Sequence, residues 1–242
     1  MGAMTIFNLH YLNARNALTG VMPETRAAAR EAVAAVGALV DLPRFDLVIR
    51  TGDEVMQGWA VGGYAPGPGH IQITLDPSRF SPEPFIRTLV HELHHLIRWD
   101  GPGYGKSLGE ALVSEGLAGH FVRQVLGGPP DPWDAAAPSE ALVRQAMNEW
   151  SRLDYDHAEW FFGKGRIRRW SGYGLGHRLV AEYLSQNPQE NAVTLASAPA
   201  DRFRNAMRKL AKEAALDQPE TGEGTGDAAA EPEPKPAPPK GD

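Results

Sequence analysis

The segment His91-Glu92-Leu93-His94-His95 sets two imidazoles four residues apart with a carboxylate beside the first. On a helix, such residues share a face about 6 Å apart along the axis, so both rings can reach one tetrahedral metal ion. Glu92, one position on, is turned to the side of that ion, where it can take a proton from a metal-activated water rather than bind the ion. Composition alone gives roughly 0.02 chance matches to this H-E-x-x-H pattern in a chain with 8 histidines. The surroundings add weight. Phe85, Ile86, Leu89, Val90, Leu93, Leu96 and Ile97 make residues 85–98 apolar almost all round, which predicts a buried helix. Titratable side chains in such a helix are costly without partners, and a metal supplies one. The competing reading is a set of hydrogen-bonded core histidines.

A third ligand has to come from another element. There are no cysteines, so thiolate sites, disulfides and cysteine nucleophiles are excluded, and a transition metal must be held by nitrogen and oxygen. Zn2+ suits two imidazoles and a carboxylate. The next helix, expected over Ser107 to Val125, offers Glu110 and Glu115. Ser107-Leu-Gly-Glu110 matches a capping box, which gives Glu110 a structural task. Glu115 has none: its neighbours at three and four positions are Ala111, Leu112, Ala118 and Gly119, so a carboxylate there needs a cation. Glu115 is therefore the expected ligand, with a salt bridge as the alternative. His120 lies on the same helix but about 140° away from it.

The H-E-x-x-H helix followed by a glutamate-bearing helix resembles the gluzincin metallopeptidases. His91-Glu-Leu-His-His95 with Ser114-Glu-Gly-Leu-Ala118 is similar, more closely, to a bacterial family of predicted Zn-dependent proteases. The resemblance covers Phe45 to Leu184. It implies His91, His95 and Glu115 as zinc ligands, Glu92 as general base, and peptide or protein substrates. One position departs from the pattern. Gluzincins often carry an aspartate four residues after the ligand glutamate, where it orients a zinc-bound histidine; here that residue is Gly119. Asp100 or a backbone carbonyl is expected to take over.

Hydrolysis also needs a donor for the developing oxyanion. Gly172-Tyr173-Gly-Leu-Gly-His177 opens a predicted helix and offers Tyr173 and His177 at i, i+4; the resemblance favours Tyr173, with Tyr155 and His157 next. His70 reads as a surface residue rather than a ligand, and His10 has no motif around it. Trp133, Trp150, Trp160 and Trp170 read as core or groove wall, and nothing matches a phosphate loop or dinucleotide fingerprint.

These residues need a scaffold. Helices are predicted at Pro23 to Val40, Phe85 to Arg98, Ser107 to Val125, Ser139 to Leu153, Gly172 to Ser185 and Asp201 to Ala215. Strands are predicted at Phe45 to Arg50, Trp59 to Tyr64 and His70 to Leu75, the last two forming a hairpin around Ala65-Pro-Gly-Pro-Gly69, with His70 to Leu75 beside the cleft. The expected fold is α+β: a small antiparallel or mixed sheet packed on a mainly helical, zincin-like domain over residues 1–216. Residues 217–242, rich in Pro, Ala, Gly and Glu, are expected to be disordered.

Of the formal charge of −6, −5 sits in residues 217–242 (seven acids, two lysines), leaving 23 acids and 22 bases elsewhere. That near-neutral body argues against nucleic-acid binding. The basic run Lys164 to Arg169 reads as a solvated surface. No apolar run has bilayer length, and residues 1–10 lack a signal-peptide pattern, so no membrane partner and a cytoplasmic setting are expected. The functional expectation is a zinc-dependent peptide-bond hydrolase. The alternative is a metal-binding or partner-binding protein on a peptidase fold without turnover, in which Glu92 has no task.

Overall fold

A computed structural model describes residues 6–216; the expected disordered tail lies outside them. The architecture is α+β, with strands early and helices late. The strands are β1 (Phe7–Tyr11), β2 (Phe45–Thr51), β3 (Val61–Gly67) and β4 (His70–Leu75). The helices are α1 (Met22–Gly37), α2 (Pro82–Arg98), α3 (Leu108–Leu126), α4 (Glu140–Asn148), α5 (His157–Phe162), α6 (Ser171–Gln186) and α7 (Arg204–Leu216).

The sheet order is β1-β2-β4-β3. β1 and β4 both run parallel to β2, and β3 pairs antiparallel with β4, so the sheet is mixed. The predicted hairpin is present, but β3 continues through Pro66 and the turn shrinks to residues 68–69. The expectation that His70 to Leu75 borders the cleft is corrected: β4 is an interior strand, and the edge nearest the helical motif is β3. Alternation along β4 reflects burial of Ile71, Ile73 and Leu75 on one face. β1, unpredicted, is a five-residue edge strand with half-buried Phe7, Leu9 and Tyr11. Too short to register as periodic, it is fixed by its pairing with β2. Helix α4 is shorter than expected, and α5 is a single six-residue element recruited from what read as loop.

Two hydrophobic cores are present. One lies between the sheet, α1 and α2, and takes in Phe121 and Val122 from the end of α3. The other gathers Leu108 to Leu117 of α3 with α4, α6 and α7. Helix α3 thus bridges both. α3 and α6 touch through glycines: a Cβ on Gly116 would strike the carbonyl of Gly176, and one on Gly176 would strike that of Leu112. This close approach brings the first turn of α6, with Tyr173, up to the middle of α3.

Candidate metal centre

Helix α2 begins with prolines in its first turn and is buried from Phe85 to Leu96. Its polar residues sit in separate environments. His91, Glu92 and His95 are each 6% exposed. His94, wholly buried, turns the other way: its Nε2 meets the Ala192 carbonyl at 3.3 Å and its ring tilts on Phe121. Burial holds its pKa well below the usual imidazole range, so it stays neutral and anchors the segment after α6. Arg98 ties the elements together, with Nε donating to Ser114 Oγ at 3.2 Å and Nη1 to the carbonyls of Ala196 and Ala198. Ser114 Oγ in turn donates to the Tyr104 carbonyl at 2.9 Å.

α3 starts at the predicted capping box: Ser107 accepts from the Glu110 N–H, and the Glu110 carboxylate accepts from the Ser107 N–H at 2.8 Å. Two turns in, Glu115 faces α2. His91 Nε2 lies 3.0 Å from Glu115 Oε2 and 3.1 Å from His95 Nε2, and His95 Nε2 lies 3.5 Å from Glu115 Oε2. Three donors at about 2.0–2.1 Å from one tetrahedral ion stand about 3.3 Å apart. The observed triangle has those edges, and the N2O donor set suits zinc. The three residues can hold a metal ion, and no other His, Asp or Glu grouping among the described residues offers such a cluster. The Nδ1 atoms of His91 and His95 are buried without hydrogen-bond partners.

The local field is that of a cation site. Burial opposes charge on His91, but the Glu115 hydrogen bond and the charges of Glu115, Glu92 and Asp134 outweigh it and hold its pKa up at about 9. Burial likewise opposes charge on Glu115, yet His95 and His91 keep its carboxyl well below the usual range. Glu92 is pushed up by burial, against the pull of His95 and His91. Its side chain lies against the backbone of β3, where a Cβ on Gly63 would sit 2.7 Å from Glu92 Cδ.

Tyrosines line the rest of the site. Tyr104, unpredicted, donates its hydroxyl to Glu115 Oε1 at 2.6 Å, which leaves Oε2 facing the histidines. Tyr173 is 8% exposed, packs edge-on to Phe161 and makes no hydroxyl hydrogen bond among the described residues. Burial, then the charges of Glu115, Glu92 and Asp134, raise its pKa well above 10, so it remains a protonated donor. His157 stands edge-on to Tyr104, and its Nδ1 lies 3.3 Å from the Tyr155 hydroxyl, so both of these candidates border the site. His177 does not. It stacks on His120 with ring centroids 4.1 Å apart, and its carbonyl accepts from His120 Nε2. The expectation that Asp100 replaces the carboxylate missing at Gly119 is also corrected, because Asp100 is exposed past the end of α2.

A sequence signal for Tyr104 existed: it is the one tyrosine in the short glycine-rich link between the two helices of the cluster. His10 and His70 lie apart, His10 pairing with Asp46 on the exposed edge of the sheet. Trp133, Trp150 and Trp160 are core residues. The basic run from Lys164 is mostly exposed.

The family model described as "Predicted Zn-dependent protease (DUF2268)" matches residues 27–205, most of the chain and all of this site. The chain belongs to that family. A curated relative, "Uncharacterized protein YjfC" of Bacillus subtilis (strain 168), is 23% identical over 162 residues, covering 60% of this chain and 54% of that protein. The chain therefore spans about half the length of the curated relative it matches. No solved structure matches. Both helices of the cluster, the Tyr104 link and Tyr173 fall within the family's span. No helix among the described residues is long and apolar enough to cross a membrane.

Proposed function

We propose that this family member is a zinc-dependent peptidase of the gluzincin kind, acting on peptides or proteins, with residues 1–216 as one metallopeptidase domain. The observation that carries the reading is the donor triangle of His91, His95 and Glu115, with edges of 3.0, 3.1 and 3.5 Å beside a buried carboxylate that belongs to none of its corners. A divalent ion held there would polarise a scissile carbonyl and acidify the attacking water.

Glu92 takes the proton from that water and passes it to the leaving amine. A carboxyl raised by burial is suited to both directions of transfer near neutral pH. Tyr173, protonated and otherwise uncommitted, donates to the oxyanion. Tyr104 holds Glu115 by one oxygen and fixes how the other is presented. The edge strand β3 presents backbone groups to an extended peptide, and its Gly63 meets Glu92 without an intervening side chain.

The test is digestion of a denatured protein and of a mixed peptide pool, read by mass spectrometry. Cleavage is expected with zinc, lost on chelation, and reduced about 10²- to 10⁴-fold in Glu92→Gln. A fully zinc-loaded protein that cleaves nothing in the pool, or cleavage undiminished in Glu92→Gln, would overturn the proposal.

A further inference from the structure

We infer that Asp134 is a positioning residue for His91, its carboxylate reaching from the segment before α4 into the space that Gly119 leaves open on α3. The inference rests on the reading of His91 as a metal ligand.

Asp134 is 4% exposed, and neither of its carboxylate oxygens has a hydrogen-bond partner among the described residues. A buried carboxylate in that state is strongly unfavourable unless a cation or donor faces it. It sits against Gly119, on the helix that carries Glu115. Gly119 lies one helical turn beyond Glu115 on the same face of α3. A Cβ at Gly119 would sit 2.5 Å from Asp134 Oδ2 and 2.7 Å from its Cγ and Oδ1. The missing side chain of α3 and the carboxylate of Asp134 therefore occupy one place. His91 likewise carries a buried Nδ1 with no partner, on the side of the ring away from Glu115 and His95, so the two orphaned groups are not bonded to each other. Each lies within electrostatic reach of the other.

The segment is built to hold that position. Arg87, one turn before His91 on α2, donates from Nε to Asp131 Oδ1 at 2.5 Å and from Nη2 to the Pro129 carbonyl at 3.1 Å. The Ala135 N–H bonds back to the Asp131 carbonyl at 3.0 Å, closing a turn around Asp134. The helix that carries the metal-facing histidine thus also clamps the turn that delivers its carboxylate. A carboxylate behind a ligating imidazole fixes its tautomer and orientation and increases its basicity; its loss characteristically costs 10- to 100-fold in metal affinity.

Zinc affinity, measured by competition with a chelator, tests this in wild type, Asp134→Ala, Asp134→Asn and the double variant Gly119→Asp/Asp134→Ala. Urea midpoints of each protein in EDTA give the metal-free stability. Zinc is expected to bind 10- to 100-fold more weakly to Asp134→Ala at unchanged stoichiometry, with the metal-free midpoint equal to or above that of wild type. Asp134→Asn keeps the shape without the charge and should also weaken binding. The double variant sends a carboxylate from α3 into the space that Asp134 vacates and should recover most of the loss. Zinc affinity within twofold of wild type in both single variants would overturn the inference while leaving the metal site standing. No zinc binding by wild type would remove both.

Discussion

Gly63→Ala separates positioning of the proposed base from everything else the site does. The added Cβ would lie 2.7 Å from Glu92 Cδ, where ordinary contacts begin at 3.4 Å, so the carboxylate must withdraw by about 0.7 Å or more. Misplacing a catalytic group by about 1 Å costs on the order of 10²-fold in rate. The fold should stand, because what gives way is a side chain rather than backbone, with Cγ of Glu92 shifting as well as its carboxylate. Gly63 has no positive φ, so alanine restricts the unfolded chain and returns about 0.4–1 kcal/mol. The assay pairs kcat on a cleaved peptide with zinc content and a urea midpoint. The expectation is a kcat roughly 10²-fold lower, full zinc and a cooperative urea transition like that of wild type. Activity within a few-fold of wild type would refute the placement of Glu92 against β3 as the reacting geometry. Gly116→Ala supplies the contrast. There the new Cβ meets backbone, the carbonyl of Gly176, and overpacking of about 1–3 kcal/mol is expected instead.

Tyr173→Phe should lower kcat by about 10²- to 10³-fold at unchanged zinc content, the usual effect of losing one oxyanion donor; a loss confined to KM would exclude that role. In Tyr104→Phe the buried Glu115 loses a hydrogen bond to a charged group, and chemical denaturation in EDTA should show about 1.5–3 kcal/mol of lost stability. Acid stability follows from His177. Burial, then His120 and Arg123, hold it down at about 3, whereas in the unfolded chain it titrates near 6.5. The unfolded state takes up the proton first, so stability present above about pH 6.5 drains away toward pH 3, at no more than about 1.4 kcal/mol per pH unit for one site. Urea midpoints from pH 7 to pH 4 should fall less steeply in His177→Phe, and an unchanged slope would count against the buried neutral ring.

The parts of the centre that were legible in the sequence are those set by local periodicity. A helix apolar on nearly every side has to be buried, and its His91, Glu92 and His95 are fixed relative to one another by helical geometry alone. Glu115 was readable because a lone carboxylate among Ala111, Leu112, Ala118 and Gly119 has no other reason to be there. What escaped depends on contacts distant in the chain. Asp134 lies against α3 where Gly119 leaves room, in a turn that Arg87 holds through Asp131. His177, four residues from Tyr173, was offered beside it as a donor, yet the α3–α6 contact turns its ring onto His120. β1 is a strand only through its parallel pairing with β2, and β3 rather than β4 became the edge beside Glu92 because β4 inserted between β2 and β3.

Metal content is the most direct test of the central claim. Protein loaded with zinc, freed of excess metal and measured by elemental analysis should hold about one equivalent in wild type and in Glu92→Gln, and little in His91→Ala or Glu115→Ala. Equal zinc in all four proteins would contradict a centre built from His91, His95 and Glu115.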